Sequence, residues 1–373
     1  MNGVHPLLNK EKQKQAKKYE RENRILGLVS LGLSLFILLG FYFSGVSYWL
    51  AQRFPGQSII WTFFVYFVIL PSILFVLGLP LDYYISYVHE HKWKFSNYTR
   101  KSWSWEKAKS FLISLIIMII VLALLFWIMA IFPKYWWLIS GIALALISVI
   151  FATLIPVVIL PIFNKYSHIK NKKLVSALEK ILERGGLKSS GFFKEDMSKQ
   201  TKKENAFLAG LGKTRRVVLG DNLLDNMTVP EIESIIAHEV GHYKYHHIWK
   251  NILIGTIQQL FVFFIIDQIM RAVFPLFLTS TRANLTLFPI LAILMGGVSM
   301  LLFAPLSNAI SRHFEKQADD YALNIIKEKT SFLRAMVGLA DRNLANAYPE
   351  WWVKILYYSH PPIGERLANA EKD

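Results

Sequence analysis

The sequence predicts a mainly α-helical, polytopic membrane protein, with about six transmembrane helices forming a chamber and a small cytoplasmic α/β domain attached to it. Three observations predict this class. Of 373 residues, 53% are hydrophobic and only 18% charged, where soluble domains carry about 25% charged residues. Six apolar runs, almost free of charge, approach the roughly 20 residues needed to cross a bilayer. The Lys and Arg residues sort by loop, as the positive-inside rule requires.

The runs are Ile25–Leu50, Ile59–Leu81, Phe111–Ile131, Trp136–Leu160, Ile252–Met270 and Leu285–Leu306. Asp267, near the end of the fifth, is nearly their only charge. Pro71, Pro80 and Pro156 fall inside runs, where neighbouring helices can satisfy the freed backbone groups. The first run is too long for a signal-peptide core and lacks a small-residue cleavage site after it, so it is read as a retained span. The segments between the runs hold all 42 Lys and Arg, 38 of them in 1–24, 82–110, 161–251 and 307–373 and 4 in the alternate loops. Counting only the shorter segments, the split is still 13 to 4. Both termini and 161–251 are therefore expected in the cytoplasm. The net charge of +16 reports orientation, and no base-reading motif accompanies it, so no nucleic-acid partner is expected.

The resulting division is a basic N-terminal segment 1–24, four spans in 25–160, a polar segment 161–251, two spans in 252–306 and a C-terminal segment 307–373. Within 161–251, Leu174, Leu178, Ile181 and Leu182 recur at helical spacing along Lys173–Arg184, and Gly185-Gly186 ends that helix. Strand-like pieces follow at Gly191–Phe193, Asn205–Leu208 and Arg216–Leu219. The absence of cysteine excludes a thiol protease, a Cys-ligated metal site and a prenyl or palmitoyl anchor on this chain.

The chemistry sits in His238-Glu239-Val240-Gly241-His242. Thr228 and Glu231 form a capping box with Pro230 in the first turn, so a helix begins about ten residues earlier and the motif lies within it. Two His four apart stand on one face, about 6 Å apart along the axis. Both can reach one zinc ion at about 2.0–2.1 Å. Glu239, one step round the helix, is placed to take a proton from a water held there. With 10 His and 17 Glu in the chain, about 0.01 such motifs are expected by chance.

A catalytic zinc keeps three protein ligands and one open position. The metzincin pattern fails, since Tyr245 and Ile248 stand where its Gly and third His belong. His246 and His247 read as interface histidines at the start of the fifth span. Glu315 and Asp319, four apart on one helix face, are the better candidates. One carboxylate would ligate the ion and the other would receive a ligand histidine's N–H.

These residues, with Tyr84–Asn97, Pro156–Tyr166, Asn205–Leu224, Ser311–Ala322 and Ser359–Leu367, resemble the type I CAAX prenyl proteases, which are integral-membrane zinc metalloendopeptidases. The resemblance runs from about Ile59 to Arg366. It implies one Zn2+ per chain on His238, His242 and Glu315, with Glu239 as general base and Asp319 behind a ligand. It implies that His360 donates to the developing oxyanion, and that Asn205, Ala206 and Phe207 form an edge strand pairing with an extended substrate. Arg366 also matches, as an ion-pair residue or a catalytic one. Eukaryotic members have seven spans and an acidic insertion before the His motif; neither is seen here, which suggests a compact bacterial or archaeal form in an inner or plasma membrane. His246 occupies a position where the family often has Gly.

The expected function is peptide-bond hydrolysis by a zinc-activated water at the cytoplasmic side of the bilayer, on a peptide or protein substrate, prenylated or not. Competing readings are a heat-shock-type quality-control metalloprotease, a transporter with structural zinc, and a silent scaffold. Four runs before His238 favour the CAAX-type reading, and a transporter would show more ionisable residues within its spans.

Overall fold

The computed structural model describes residues 4–46, 49, 59–273 and 281–372. Among them six helices are long and apolar enough to span a bilayer: Lys10–Phe43, Trp61–Lys92, Arg100–Ile131, Trp136–Phe163, His247–Ala272 and Leu287–Ile325. Each matches one apolar run but extends beyond it. The end of the first run, the 51–58 loop and part of the 271–284 loop lie outside the described residues.

The extensions decide the architecture. Polar residues continue a helix when it is capped and packed, which hydropathy does not register. Asn9 caps the first helix by accepting from Glu11 N and Lys12 N, so residues 10–24 of the basic segment are a helical stem joined to the first span. It docks on the C-terminal segment: Gln13 Nε2 donates to Ala345 O at 3.2 Å, Ala347 N–H donates to Gln13 Oε1 at 3.0 Å, and Tyr358 O–H donates to Glu20 at 2.5 Å. The second helix runs on to Lys92, and its following loop meets the polar domain where Lys202 N–H donates to Phe95 O at 2.8 Å. Lys203 pairs with Glu90 at 2.9 Å. All four Lys- and Arg-rich segments therefore touch one another on one side of the helix bundle. The last helix, Thr281–Ile325, has 45 residues and is about 68 Å long at 1.5 Å per residue. It leaves the apolar layer as a rigid stem that carries Glu315 and Asp319.

Two of the span helices widen into π-type turns beside prolines, at Val65–Ile69 before Pro71 and at Ile155–Ile159 around Pro156. A wider turn accommodates the backbone group that proline leaves unpaired. The spans pack through an aromatic core of Phe67, Phe126, Trp136, Phe263 and Phe288, while Phe36, Leu146, Met300 and Leu301 face outward. Asp267 is 2% exposed. Trp136 Nε1–H donates to it at 2.7 Å and Arg271 pairs with it at 2.8 Å. Its partners make it a local anchor near the end of a span.

Residues 166–220 form a four-stranded sheet, β1 (Tyr166–His168), β2 (Phe192–Glu195), β3 (Ala206–Ala209) and β4 (Arg216–Gly220), in spatial order β1-β2-β4-β3. Only β2 and β4 run parallel. Strand β1 is only three residues long, too short to carry an alternating pattern, so the sequence does not disclose it. The helix Lys172–Arg184 is capped by Asn171 and ends at Gly185, with Gly186 at φ +68. It packs with the sheet and the helices Val229–Lys244, Lys329–Arg342 and Ile363–Lys372 around Leu178, Val217, Leu219, Ile236, Phe332 and Leu367.

Candidate metal centre

The motif helix starts as its residues dictate. Thr228 N–H and Oγ1–H both donate to Glu231 Oε2, at 2.7 and 2.8 Å. One turn apart on Val229–Lys244, His238 and His242 bring their Nε2 atoms within 3.1 Å of each other. The stem of the last helix crosses opposite them. Glu315 Oε2 lies 3.2 Å from His238 Nε2, and Glu315 Oε1 lies 3.3 Å from His242 Nε2.

These are the separations a metal requires. A tetrahedral ion with bonds of about 2.0–2.1 Å holds its ligand atoms about 3.3 Å apart. Glu315 Oε2 is buried and has no hydrogen-bond donor, although burying a carboxylate oxygen without a partner is costly. Two facing imidazole nitrogens and this oxygen are three lone-pair donors aimed at one point. Among the described residues, His238, His242 and Glu315 each offer one donor atom, all within 4.8 Å of one another.

The surrounding groups point the ligands inward. His238 Nδ1–H donates to Asp319 Oδ1 at 2.8 Å, leaving the Nε2 lone pair for the centre. Arg366 clamps Asp319 with Nε at 2.8 Å and Nη2 at 2.5 Å, and is itself only 8% exposed. Arg366 is thus in an ion pair with Asp319. Burial opposes charge on His238, but its hydrogen bond to Asp319 and the adjacent Glu315 carboxylate outweigh it and lift the imidazole to about 9. A metal would therefore displace a proton on binding.

Glu239 is not one of the three converging groups. Burial raises its carboxyl above the ordinary glutamate value, and His238 and His242 only partly offset that rise. It also accepts a backbone hydrogen bond from Leu208, which ties it to the sheet. His360, after the helix Trp351–Tyr357, places Nε2 3.2 Å from Glu315 Oε1. Desolvation pushes its imidazole pKa down, against the pull of Glu315. A cavity of about 880 Å3 opens beside His360 and Arg366, with Leu28, Leu31 and Met300 on its apolar wall.

Strand β3 is the edge strand nearest this helix. Asn205 lies just before it, and its carbonyl accepts from Gly220 N–H at 2.9 Å. Alternation along an antiparallel pair then turns Ala206 outward, Phe207 toward β4 and Leu208 outward. Tyr243 O–H donates to Leu208 O at 3.3 Å and Gly210 O at 2.5 Å. Of the three residues singled out from the sequence, Ala206 therefore presents the outward-facing backbone.

The two neighbouring histidines part company. His246 occupies the turn between helices with φ +57, a left-handed conformation that costs a non-Gly residue about 1–2 kcal/mol. That is the physical reason glycine suits this position. His247 is 1% exposed, and its Nδ1 lies 2.9 Å from His242 Nδ1.

Gly241 brings the two helices together. A Cβ there would lie 2.9 Å from Ala318 Cα and 3.1 Å from Ala318 O, both backbone atoms that cannot yield without moving the stem. Gly241→Ala is expected to push Glu315 outward and to destabilise the fold by about 1–3 kcal/mol, despite the better helix propensity of alanine. Chemical denaturation together with metal titration of the variant checks this.

The family model described as Peptidase family M48 matches residues 168–373. The chain belongs to this family. A second model, described as CAAX prenyl protease N-terminal, five membrane helices, matches residues 3–165, where the described residues hold four span-length helices. An uncharacterized metalloprotease of Bacillus subtilis is 29% identical over 96% of this chain and 85% of its own length. CAAX prenyl protease 1 of Saccharomyces cerevisiae is 30% identical over 86% of this chain and 74% of its own. The crystal structure of S. mikatae Ste24p shares the fold, with a TM-score of 0.84 at 24% identity over 98% of this chain and 91% of that one. This M48 peptidase is accordingly a multi-pass membrane metalloprotease that hydrolyses peptide bonds.

Proposed function

We propose that this M48 peptidase is a zinc endopeptidase whose centre faces the cytoplasm and whose preferred substrates are of the CAAX type, cut near a lipid-modified residue. The observation that carries the reading is the convergence of His238 Nε2, His242 Nε2 and the unpartnered Glu315 oxygen, with His238 oriented from behind by Asp319. A donor set of two imidazoles and one carboxylate at tetrahedral spacing suits zinc. When bound, zinc would supply a Lewis acid and lower the pKa of water at its open position toward about 7.

The remaining steps belong to the chain's own residues. Glu239 accepts the proton of the attacking water at its carboxylate and returns it to the leaving amine. Its raised pKa suits both roles. His360 Nε2–H is placed to donate to the carbonyl oxygen as negative charge develops there. The outward backbone of Ala206 pairs with an extended substrate, and Asn205 and Phe207 hold that edge against β4. The positive-inside distribution of 38 Lys and Arg against 4 supports cytoplasmic termini and a cytoplasmic site.

The preference for lipid-modified substrates is supported by the yeast relative's name and by the predominantly apolar cavity beside His360. Purified protein is expected to hold one zinc per chain and to cleave a farnesylated CAAX peptide faster than its unprenylated twin. Equal cleavage of both would replace the CAAX reading with broad proteolysis. Failure of the zinc-loaded protein to cleave either would overturn the proposal.

A further inference from the structure

His238 and His242 are supported from behind in different ways. The Nδ1 of His238 meets a carboxylate, whereas the Nδ1 of His242 meets another imidazole. We infer that His247 and Gln317 form a hydrogen-bond relay that fixes the tautomer and ring orientation of His242, making His247 a positioning residue for the metal. The inference rests on the metal-site reading above and deepens it.

The direction of the relay follows from its far end. His247 Nε2 lies 3.0 Å from Gln317 Oε1, and an amide oxygen only accepts. Nε2 of His247 therefore carries the proton, and in the neutral ring Nδ1 is bare. His242 Nδ1 is 2.9 Å from that bare nitrogen and must be the donor. The Nε2 of His242 is then left with a lone pair, and it is this atom that faces His238 Nε2 and Glu315 Oε1. Each hydrogen bond permits only one state of the next ring.

The ring of His247 is held in place as well. Phe314 stacks on it at 4.3 Å with 12° between the planes, and Tyr245 stacks at 5.8 Å and 24°. Phe314, Glu315 and Gln317 belong to the same stem, so one helix supplies a ligand, the stacking ring and the terminal acceptor. A neutral relay also adds no negative charge behind the ion, whereas a second carboxylate would weaken its pull on a substrate carbonyl.

The test uses full-length protein in detergent, titrated with zinc and with cobalt against a chelator. His247→Phe keeps an aromatic ring against Phe314 but removes the acceptor. His247→Asn restores an acceptor oxygen at the position of Nδ1. The relay predicts that His247→Phe weakens metal affinity by about 10–100-fold, shifts the visible spectrum of the cobalt form, and leaves the thermal unfolding of the metal-free protein within a few degrees of the parent. His247→Asn is expected to recover most of the affinity. Unchanged affinity in His247→Phe would overturn the inference, as would equal weakening in both variants, which signals packing alone. If the parent itself binds neither metal, the site reading fails first and the relay falls with it.

Discussion

Replacing Glu239 by Gln is expected to leave zinc content unchanged and to lower kcat by about 10²–10⁴-fold, the usual contribution of a positioned general base. Gln keeps the shape of the side chain and can still meet the Leu208 backbone, but it has no lone pair basic enough to take a proton. Glu239 is not among the three converging ligand groups, so the metal should be indifferent to the change. The same residue sets the acid side of the pH profile. Only the ionised carboxylate accepts a proton, so activity is lost as pH falls through the Glu239 pKa. Burial raises that pKa above 4.5, which moves the loss to higher pH than an exposed Glu would give. The parent should show this limb in kcat/KM between pH 4 and 8, and the residual activity of Glu239→Gln should lack it. Loss of zinc from the variant, or turnover near the parental rate, would remove Glu239 from the role.

The sequence disclosed the spans and the motif because both are written in local patterns. Twenty apolar residues identify a span, and a His-Glu-x-x-His helix carries its spacing within one turn. Lengths were less legible. The run Phe111–Ile131 gives no sign that its helix begins at Arg100, which depends on Thr99 accepting from Ser102 N. Nothing in Leu285–Leu306 says that the same helix carries Glu315 beyond the bilayer. Asp319 was legible as a partner because its spacing from Glu315 places it one turn on. The reciprocal roles of His247 and Gln317 were not, since they lie 70 residues apart and neither belongs to a recognisable local pattern. The close contact at Gly241 was hidden for a related reason: a glycine inside a helix reads as a weakness until the opposing backbone of Ala318 is in view.

The two acidic residues of the stem can be told apart by how their oxygens are used, and this gives the second large effect. Both oxygens of Asp319 are consumed, Oδ1 by His238 and Arg366 and Oδ2 by Arg366. Glu315 Oε2 has no hydrogen-bond partner, and it lies 3.2 Å from His238 Nε2. Glu315→Gln should therefore remove a ligand and the negative charge that offsets the cation, and zinc affinity should fall by more than the roughly 100-fold limit typical of residues behind a ligand. Peptide cleavage at equimolar zinc should disappear with it. Asp319→Asn should cost about 10–100-fold, because it disturbs the orientation of His238 while all three ligands remain. Chelator competition on both variants ranks them directly. A larger loss in Asp319→Asn than in Glu315→Gln would exchange the two assignments, for it would mean that the ion draws Asp319 away from Arg366, and the geometry of the arginine clamp speaks against that.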